Sequence, residues 1–216
     1  MTKIESIAME FLGRGGKKLR PRLCKAVFDR LDGKGDIEPL LEAIECFHKA
    51  SLIHDDIQDL DEERYGKPTV WKEHGIAKAI AAGDWLVAHG YKLIAESSFA
   101  KVPEMLVSAA CSHKRLTEGQ GDDLFYLGEY PNVEARVSVY ERKTGEAFAL
   151  AAQLGALAAG GDPEPFYKYG LTFGILFQIM DDFSDGVEKT PEMIQLKEEY
   201  ENKTAFYRDE CSIGVW

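Results

Sequence analysis

An all-α fold is what this chain of 216 residues predicts, and two observations carry the prediction. Capping residues, glycines and prolines recur at helix-end spacing, and no stretch sustains the two-residue alternation of a half-buried strand. Asp36 can cap a helix from Ile37 to about Asp59, with Pro39 tolerated in the first turn and Glu38 and Glu42 toward the positive end of its dipole. A second helix, from about Gly75 to Ala95, carries Ile80, Leu86 and Leu93, and Pro103 opens a third that runs toward Gln120. Asn132 can cap the next, which runs to the Gly160-Gly161 stop with Ala147, Ala151, Leu154 and Ala158 near one side, small enough for close packing. Asp162-Pro163 starts a helix ending in Asp181 to Asp185, and Thr190-Pro191-Glu192 starts a last helix of charged, amphipathic character. No linker or repeat divides the chain, so residues 1–216 are read as a single domain, long enough to bury a core without disulfides.

A formal net charge of -11 argues against a nucleic-acid or anionic-membrane partner, because either needs a broad positive field. Cys24, Cys46, Cys111 and Cys211 lie far apart with no Cys-x-x-Cys pair, so reduced, packed thiols are expected rather than a zinc or disulfide framework. The most apolar run, Phe148 to Gly160, is interrupted by Gln153 and falls short of the ~20 residues of a spanning helix. The opening residues lack the apolar stretch of a signal peptide, so a cytoplasmic location, with no integral membrane segment, is the expectation.

The chemistry concentrates in two helix ends. Leu52-Ile53-His54-Asp55-Asp56-Ile57-Gln58-Asp59 puts Asp55 and Asp59 one turn apart on one face, and Gln178-Ile179-Met180-Asp181-Asp182-Phe183-Ser184-Asp185 repeats the spacing with Asp181 and Asp185. Taken alone, such pairs are more often solvated surface. The apolar run before each pair changes the balance, because buried helices would hold their terminal carboxylates at the rim of a cavity, where unpaired charges repel. Magnesium bridging the two rims would relieve that repulsion, since it takes oxygen ligands and shares them with a substrate's phosphates. A diphosphate held there becomes a good leaving group, which is chemistry for making a carbocation.

Gly15-Gly16-Lys17-Lys18-Leu19-Arg20-Pro21-Arg22 sets four cations beside a flexible glycine pair, which by itself reads as a solvated basic run but also suits a metal-free anion site with Lys17 as a point charge and Arg20 as a fork. His48 lies two turns before Asp55 on the same face, an alignment that favours a ligand contact over a core role; His54, His74, His89 and His113 are read as structural. Lys143-Thr144, Gln178 and Gly119-Gln120-Gly121-Asp122-Asp123-Leu124 carry weaker signals, the last read as a helix terminus with a polar cap.

In this order, and with Gly66-Lys67-Pro68-Thr69 and Ala82-Gly83-Asp84 between them, these motifs make the chain resemble the trans-isoprenyl diphosphate synthase (polyprenyl synthetase) family from about Gly13 to Asp185. The resemblance implies an isoprenoid-synthase-type helical bundle around a deep central cavity, usually homodimeric, that joins an allylic diphosphate to isopentenyl diphosphate head to tail. It implies three magnesium ions per site and a catalytic set of Asp55, Asp56, Asp59, Lys143, Asp181, Asp182 and Asp185. Asp55, Asp59 and Asp181 correspond to metal ligands, with Asp185, Asp56 and Asp182 supporting directly or through water. Lys17, Arg20 and His48 would grip isopentenyl diphosphate, and Arg64, Lys143, Thr144 and Gln178 the allylic diphosphate, with Lys203 in Glu201-Asn202-Lys203-Thr204 as a late contributor. Ala50 and Ser51 stand where bulky residues form a chain-length floor in this family, so their small size suggests a product of C20 or longer.

The chain departs from the family in carrying Tyr65 after Arg64, where a second arginine is usual, and in curtailed N- and C-terminal ends, which would leave a core to be covered by a dimer or partner. Three readings follow. A compact synthase is favoured by the complete aspartate set. A terpene synthase or lyase that ionises one diphosphate is favoured by Tyr65. A non-catalytic subunit of a heteromeric synthase is favoured by the short ends.

Overall fold

The computed structural model describes residues 1–214, whose regular elements are helices but for one small hairpin. The chain divides into two compact units. The first holds Met1–Pro21 and Asp36–Ser98, the second Arg22–Gly35 and the chain from Phe99 onward.

In the first unit α1 (Lys3–Leu12) starts from a capping box in which Thr2 and Glu5 each accept from the other's backbone. The first turn of α2 (Leu19–Arg30) also belongs here. Helix α3 (Glu38–Gln58) matches the expected Ile37–Asp59 span, and Asp36 does serve its start, accepting the Glu38 amide at 3.1 Å. After α3 come two two-residue strands, β1 (Glu63–Arg64) and β2 (Lys67–Pro68), paired antiparallel through Tyr65 and Gly66. Both turn residues have positive φ, 55° and 70°, the backbone of a tight primed hairpin turn. A short α4 (Val70–His74) leads into α5 (Ile76–Ala95). The core between α1, α3, α4 and α5 gathers Ala8, Phe11, Cys46, Ala50, Ile53, Val70, Ala82 and Leu86, all nearly inaccessible. Helices α3 and α5 approach closely because Gly83 and Gly90 carry no Cβ; one built there would lie 2.3 Å from the His54 ring and 2.4 Å from Phe47.

The second unit contains α6 (Val102–Tyr126), α7 (Val133–Tyr140), α8 (Glu146–Ala158), α9 (Glu164–Ser184) and α10 (Pro191–Cys211). Asn132 and Thr190 cap α7 and α10 as expected, each accepting a backbone amide. Two expectations need correction. Helix α6 does not stop near Gln120 but runs through Gly119–Leu124 to Tyr126, so that stretch is helix interior. The helix from Asn132 to Gly160 is also not regular, because Glu141–Gly145 forms a π-helical turn between α7 and α8. The two features meet: a Cβ at Gly119 would lie 2.6 Å from the Lys143 backbone nitrogen, so α6 passes against the π turn with no room for a side chain, and Gly119 serves a close crossing rather than a helix end. Likewise a Cβ at Gly174 would meet the Gly145 Cα at 2.7 Å, and one at Gly155 the Cys24 carbonyl at 2.4 Å. Glycines, more than the alanine row, set the close helix crossings here. Tyr140, Ile175, Ile179, Met193, Leu196 and Tyr200 form the core between α7, α9 and α10.

Candidate functional site

The first unit gathers its candidates around the second half of α3. Asp55 and Asp59 lie one turn apart, Asp55 half-buried and Asp59 exposed, with the Asp59 amide donating to the Asp55 carbonyl at 2.8 Å. Asp56 points the other way. Its carboxylate is fully buried and accepts Arg64 Nε at 2.5 Å, while Arg64 Nη2 reaches Asp61 at 3.5 Å. Burial pushes the Asp56 carboxyl above its ordinary range, and the Arg64 bond only partly offsets that. Arg64, expected on the allylic diphosphate, is therefore held by two aspartates and anchors the hairpin to α3.

Arg20 and His48 come together, Arg20 Nη1 standing 3.4 Å from His48 Nε2. Burial, then the positive charges of Arg20, Lys49 and Arg64, push the His48 pKa down to about 2, so the ring is neutral and presents an acceptor to the guanidinium. Burial also lowers Arg20, to about 10, which leaves it charged at neutral pH. Lys17 is exposed, just after Gly16, whose φ of 140° favours glycine. Two residues that sequence reasoning passed over hold this loop. Arg14, buried, donates to the Pro68 carbonyl at 2.7 Å and pairs with Glu73 at 3.0 Å. Lys49, fully buried, donates to the carbonyls of Arg14 and Gly15 at 2.8 and 2.5 Å. A lysine inside the apolar stretch of α3 was the available signal. Ala50 packs in the core with Ala8 and Phe11, and Ser51 is exposed, its hydroxyl donating to the His48 carbonyl.

The second unit has its own constellation. A recess of about 240 Å³ is lined by Asp123, Tyr130, Tyr140, Lys143, Thr144, Gln178 and Asp182 among others. Lys143 Nζ pairs with Asp123 at 2.5 Å, and Tyr130 also donates to Asp123. Thr144 donates to Gln178 Oε1 at 2.7 Å, Gln178 Nε2 donates to Asp182 Oδ1 at 2.8 Å, and Tyr140 donates to Asp182 Oδ2. Lys143, Thr144, Gln178 and Asp182, separate in sequence, thus share one wall. Lys143 and Thr144 both lie in the π turn and both line the recess. Tyr130, Tyr140 and Asp123 were missed as site residues; burial and carboxylate partners push both phenols well above their ordinary range, so they remain donors. Asp181 and Asp185 are exposed at the end of α9, one turn apart, the Asp185 amide donating to the Asp181 carbonyl at 2.9 Å. Lys203 lies outside the recess, on α10, paired with Glu199 at 2.5 Å and over the Tyr200 ring.

The donor chemistry fits magnesium. Each aspartate pair offers oxygen ligands only, and among the described residues no three His, Cys, Asp or Glu side chains are grouped to hold an ion alone. A metal that keeps its waters and shares one or two carboxylates with phosphate suits such an open set.

A family profile described as polyprenyl synthetase matches residues 1–198. The chain is 35% identical over 192 residues to the short chain isoprenyl diphosphate synthase of Methanocaldococcus jannaschii, covering 85% of this chain and 58% of that protein. It is 33% identical to the geranylfarnesyl diphosphate synthase of Aeropyrum pernix, covering 83% of this chain and 60% of that one. It therefore spans somewhat over half the length of the curated relatives it matches. Among solved structures it superposes on an isoprenoid synthase family member from Thermotoga neapolitana with a TM-score of 0.83 at 29% identity, over 97% of this chain and 84% of that one. The geranylgeranyl pyrophosphate synthetase of Pyrococcus horikoshii gives 0.78 at 30% identity, over 88% and 60%. No helix among the described residues is long and apolar enough to cross a membrane. With the all-α architecture, the ordered motifs and this match over most of its length, the chain belongs to the polyprenyl synthetase family.

Proposed function

We propose that this chain is a single synthase domain that works as a magnesium-dependent trans-prenyltransferase, condensing an allylic diphosphate with isopentenyl diphosphate to a product of C20 or longer. The observation that supports this best is the pairing of Arg20 with a neutral His48 on the helix that carries Asp55 and Asp59, a metal-free anion contact beside a metal-binding helix end.

In this reading the carboxylates of Asp55 and Asp59, and likewise those of Asp181 and Asp185, would hold magnesium, which when bound neutralises charge developing on a departing diphosphate. Lys143 and Thr144 meet the allylic diphosphate from the recess wall; Lys143 exchanges Asp123 for phosphate oxygens, and Gln178 and Tyr140 keep Asp182 oriented. Lys17, Arg20 and His48 hold isopentenyl diphosphate, with His48 accepting from Arg20 and so fixing the direction of its fork. No protein nucleophile is required, because the attacking electrons come from the isopentenyl double bond and the departing diphosphate takes the lost proton.

The test is incubation of the purified chain with Mg2+ and geranyl or farnesyl diphosphate, with and without labelled isopentenyl diphosphate. Elongated diphosphates formed only with both substrates, and abolished by a chelator, are expected. A second reading, a lyase acting on one allylic diphosphate, draws on Tyr65, which offers no cation where the family usually has one. Hydrocarbon or alcohol from the allylic substrate alone would establish it, and absence of turnover with capture of a full-length synthase would point to a partner subunit.

A further inference from the structure

The glycine pair before Lys17 is not left to find its own conformation. Lys49 reaches from α3 and donates to two consecutive carbonyls, Arg14 at 2.8 Å and Gly15 at 2.5 Å. Its ammonium also lies 4.4 Å from the centre of the Tyr65 ring and 5.4 Å from that of Phe11. The Tyr65 side chain also lies against the loop: a Cβ built on Gly16 would sit 3.5 Å from the Tyr65 hydroxyl and 3.7 Å from Lys49 Nζ. Glu45 stands 4.0 Å from the same ammonium. A buried cation with two carbonyl acceptors and an aromatic face is fully engaged, so it is not itself exposed to a ligand.

We propose that Lys49 and Tyr65 form a clamp that sets the Gly15-Gly16 turn and thereby positions Lys17 and Arg20 for a metal-free diphosphate. Both are positioning residues, and the proposal rests on the isopentenyl diphosphate reading of that anion site. The physical gain is preorganisation. Two adjacent glycines lose more conformational freedom than any other pair when a ligand orders them, and a clamp that orders them in the free protein removes that cost from binding. Its geometry also accounts for the aromatic residue after Arg64. A guanidinium at position 65 would face the Lys49 ammonium with like charge, whereas the face of a phenol ring attracts it.

The experiment measures inorganic pyrophosphate binding by calorimetry in the presence of a chelator, for the wild type and for Lys49→Met, Tyr65→Phe and Tyr65→Leu. Tyr65 is exposed on the hairpin, so its variants carry the test should Lys49→Met fail to fold. The wild type is expected to bind, Tyr65→Phe to stay within about twofold because the ring is kept, and Tyr65→Leu and Lys49→Met to weaken about tenfold. Amide hydrogen exchange at Gly15, Gly16 and Lys17 should accelerate in the two weakened variants. In turnover the KM for isopentenyl diphosphate should rise while that for the allylic diphosphate holds. Equal pyrophosphate affinity in all four proteins, or no metal-free binding by the wild type, overturns the clamp. A wild type that binds pyrophosphate through the clamp yet never uses isopentenyl diphosphate overturns the synthase reading alone.

Discussion

Replacing Asp56 tests whether the first aspartate motif is divided between structure and chemistry. Its carboxylate is fully buried and Arg64, with a side chain 24% exposed, is its partner at 2.5 Å. Removing one member of a buried ion pair costs about 3–5 kcal/mol, while exposed pairs contribute about 0–1. Arg64 can rehydrate in part and keeps Asp61, so Asp56→Ala should cost about 2–3 kcal/mol, between those limits. Asp56→Asn keeps an acceptor for Arg64 Nε and removes a desolvated charge, so it should cost about 1 kcal/mol or less. Urea denaturation at pH 7 measures both, and a double-mutant cycle with Arg64→Ala isolates the coupling. The pH dependence has a definite sign. Because the folded-state pKa of Asp56 is raised, the folded protein holds that proton more tightly than the unfolded chain, so the wild type gains stability relative to Asp56→Asn as the pH falls through the interval above the ordinary 3.8. Equal costs for Ala and Asn, or a coupling energy indistinguishable from zero, would refute the assignment of Asp56 to the fold.

Three further outcomes follow from the geometry. Gly119→Ala should destabilise by about 1–3 kcal/mol and lower activity with it, because the new methyl meets the Lys143 backbone at 2.6 Å rather than a yielding side chain; a thermal melt unchanged from the wild type would contradict the close crossing. Ser51→Phe should fold normally and shorten the product, whereas Ala50→Phe should overpack a 1% exposed core position and lower the melting temperature; chromatography of the products beside melts of both proteins decides. His48→Gln should flatten acid destabilisation: the wild-type ring is neutral when folded, so stability is lost as pH falls below about 6.5 toward about 2, at up to ~1.4 kcal/mol per pH unit for that one proton. Unfolding free energies from pH 7 to 4 that run parallel in the two proteins would show that His48 is not held neutral.

The helices and their caps were legible because they are local. Asn132 and Thr190 announce helix starts through a side chain that satisfies an amide three residues on, and the apolar runs before Asp55 and Asp181 announce buried helices. The hairpin at Tyr65-Gly66 was not, since two-residue strands leave no alternation to read, nor was the π turn, against which α6 passes at Gly119. Glycine inside a helix resembles a helix end until the neighbouring backbone that needs the space is known.

By itself, then, the sequence determined the all-α class, the family, and the one-turn spacing that puts Asp55 with Asp59 and Asp181 with Asp185 on shared helix faces, because a 3.6-residue period acts on neighbours. Only the tertiary structure decided how neighbouring charges divide their roles. It turned Asp56 inward to Arg64 while Asp59 stayed at the surface, tied Lys143 to Asp123 and Asp182 to Tyr140, and set a buried lysine beneath a glycine turn. Such choices depend on burial and on partners 8 to 42 residues away in the chain, and no local pattern contains them.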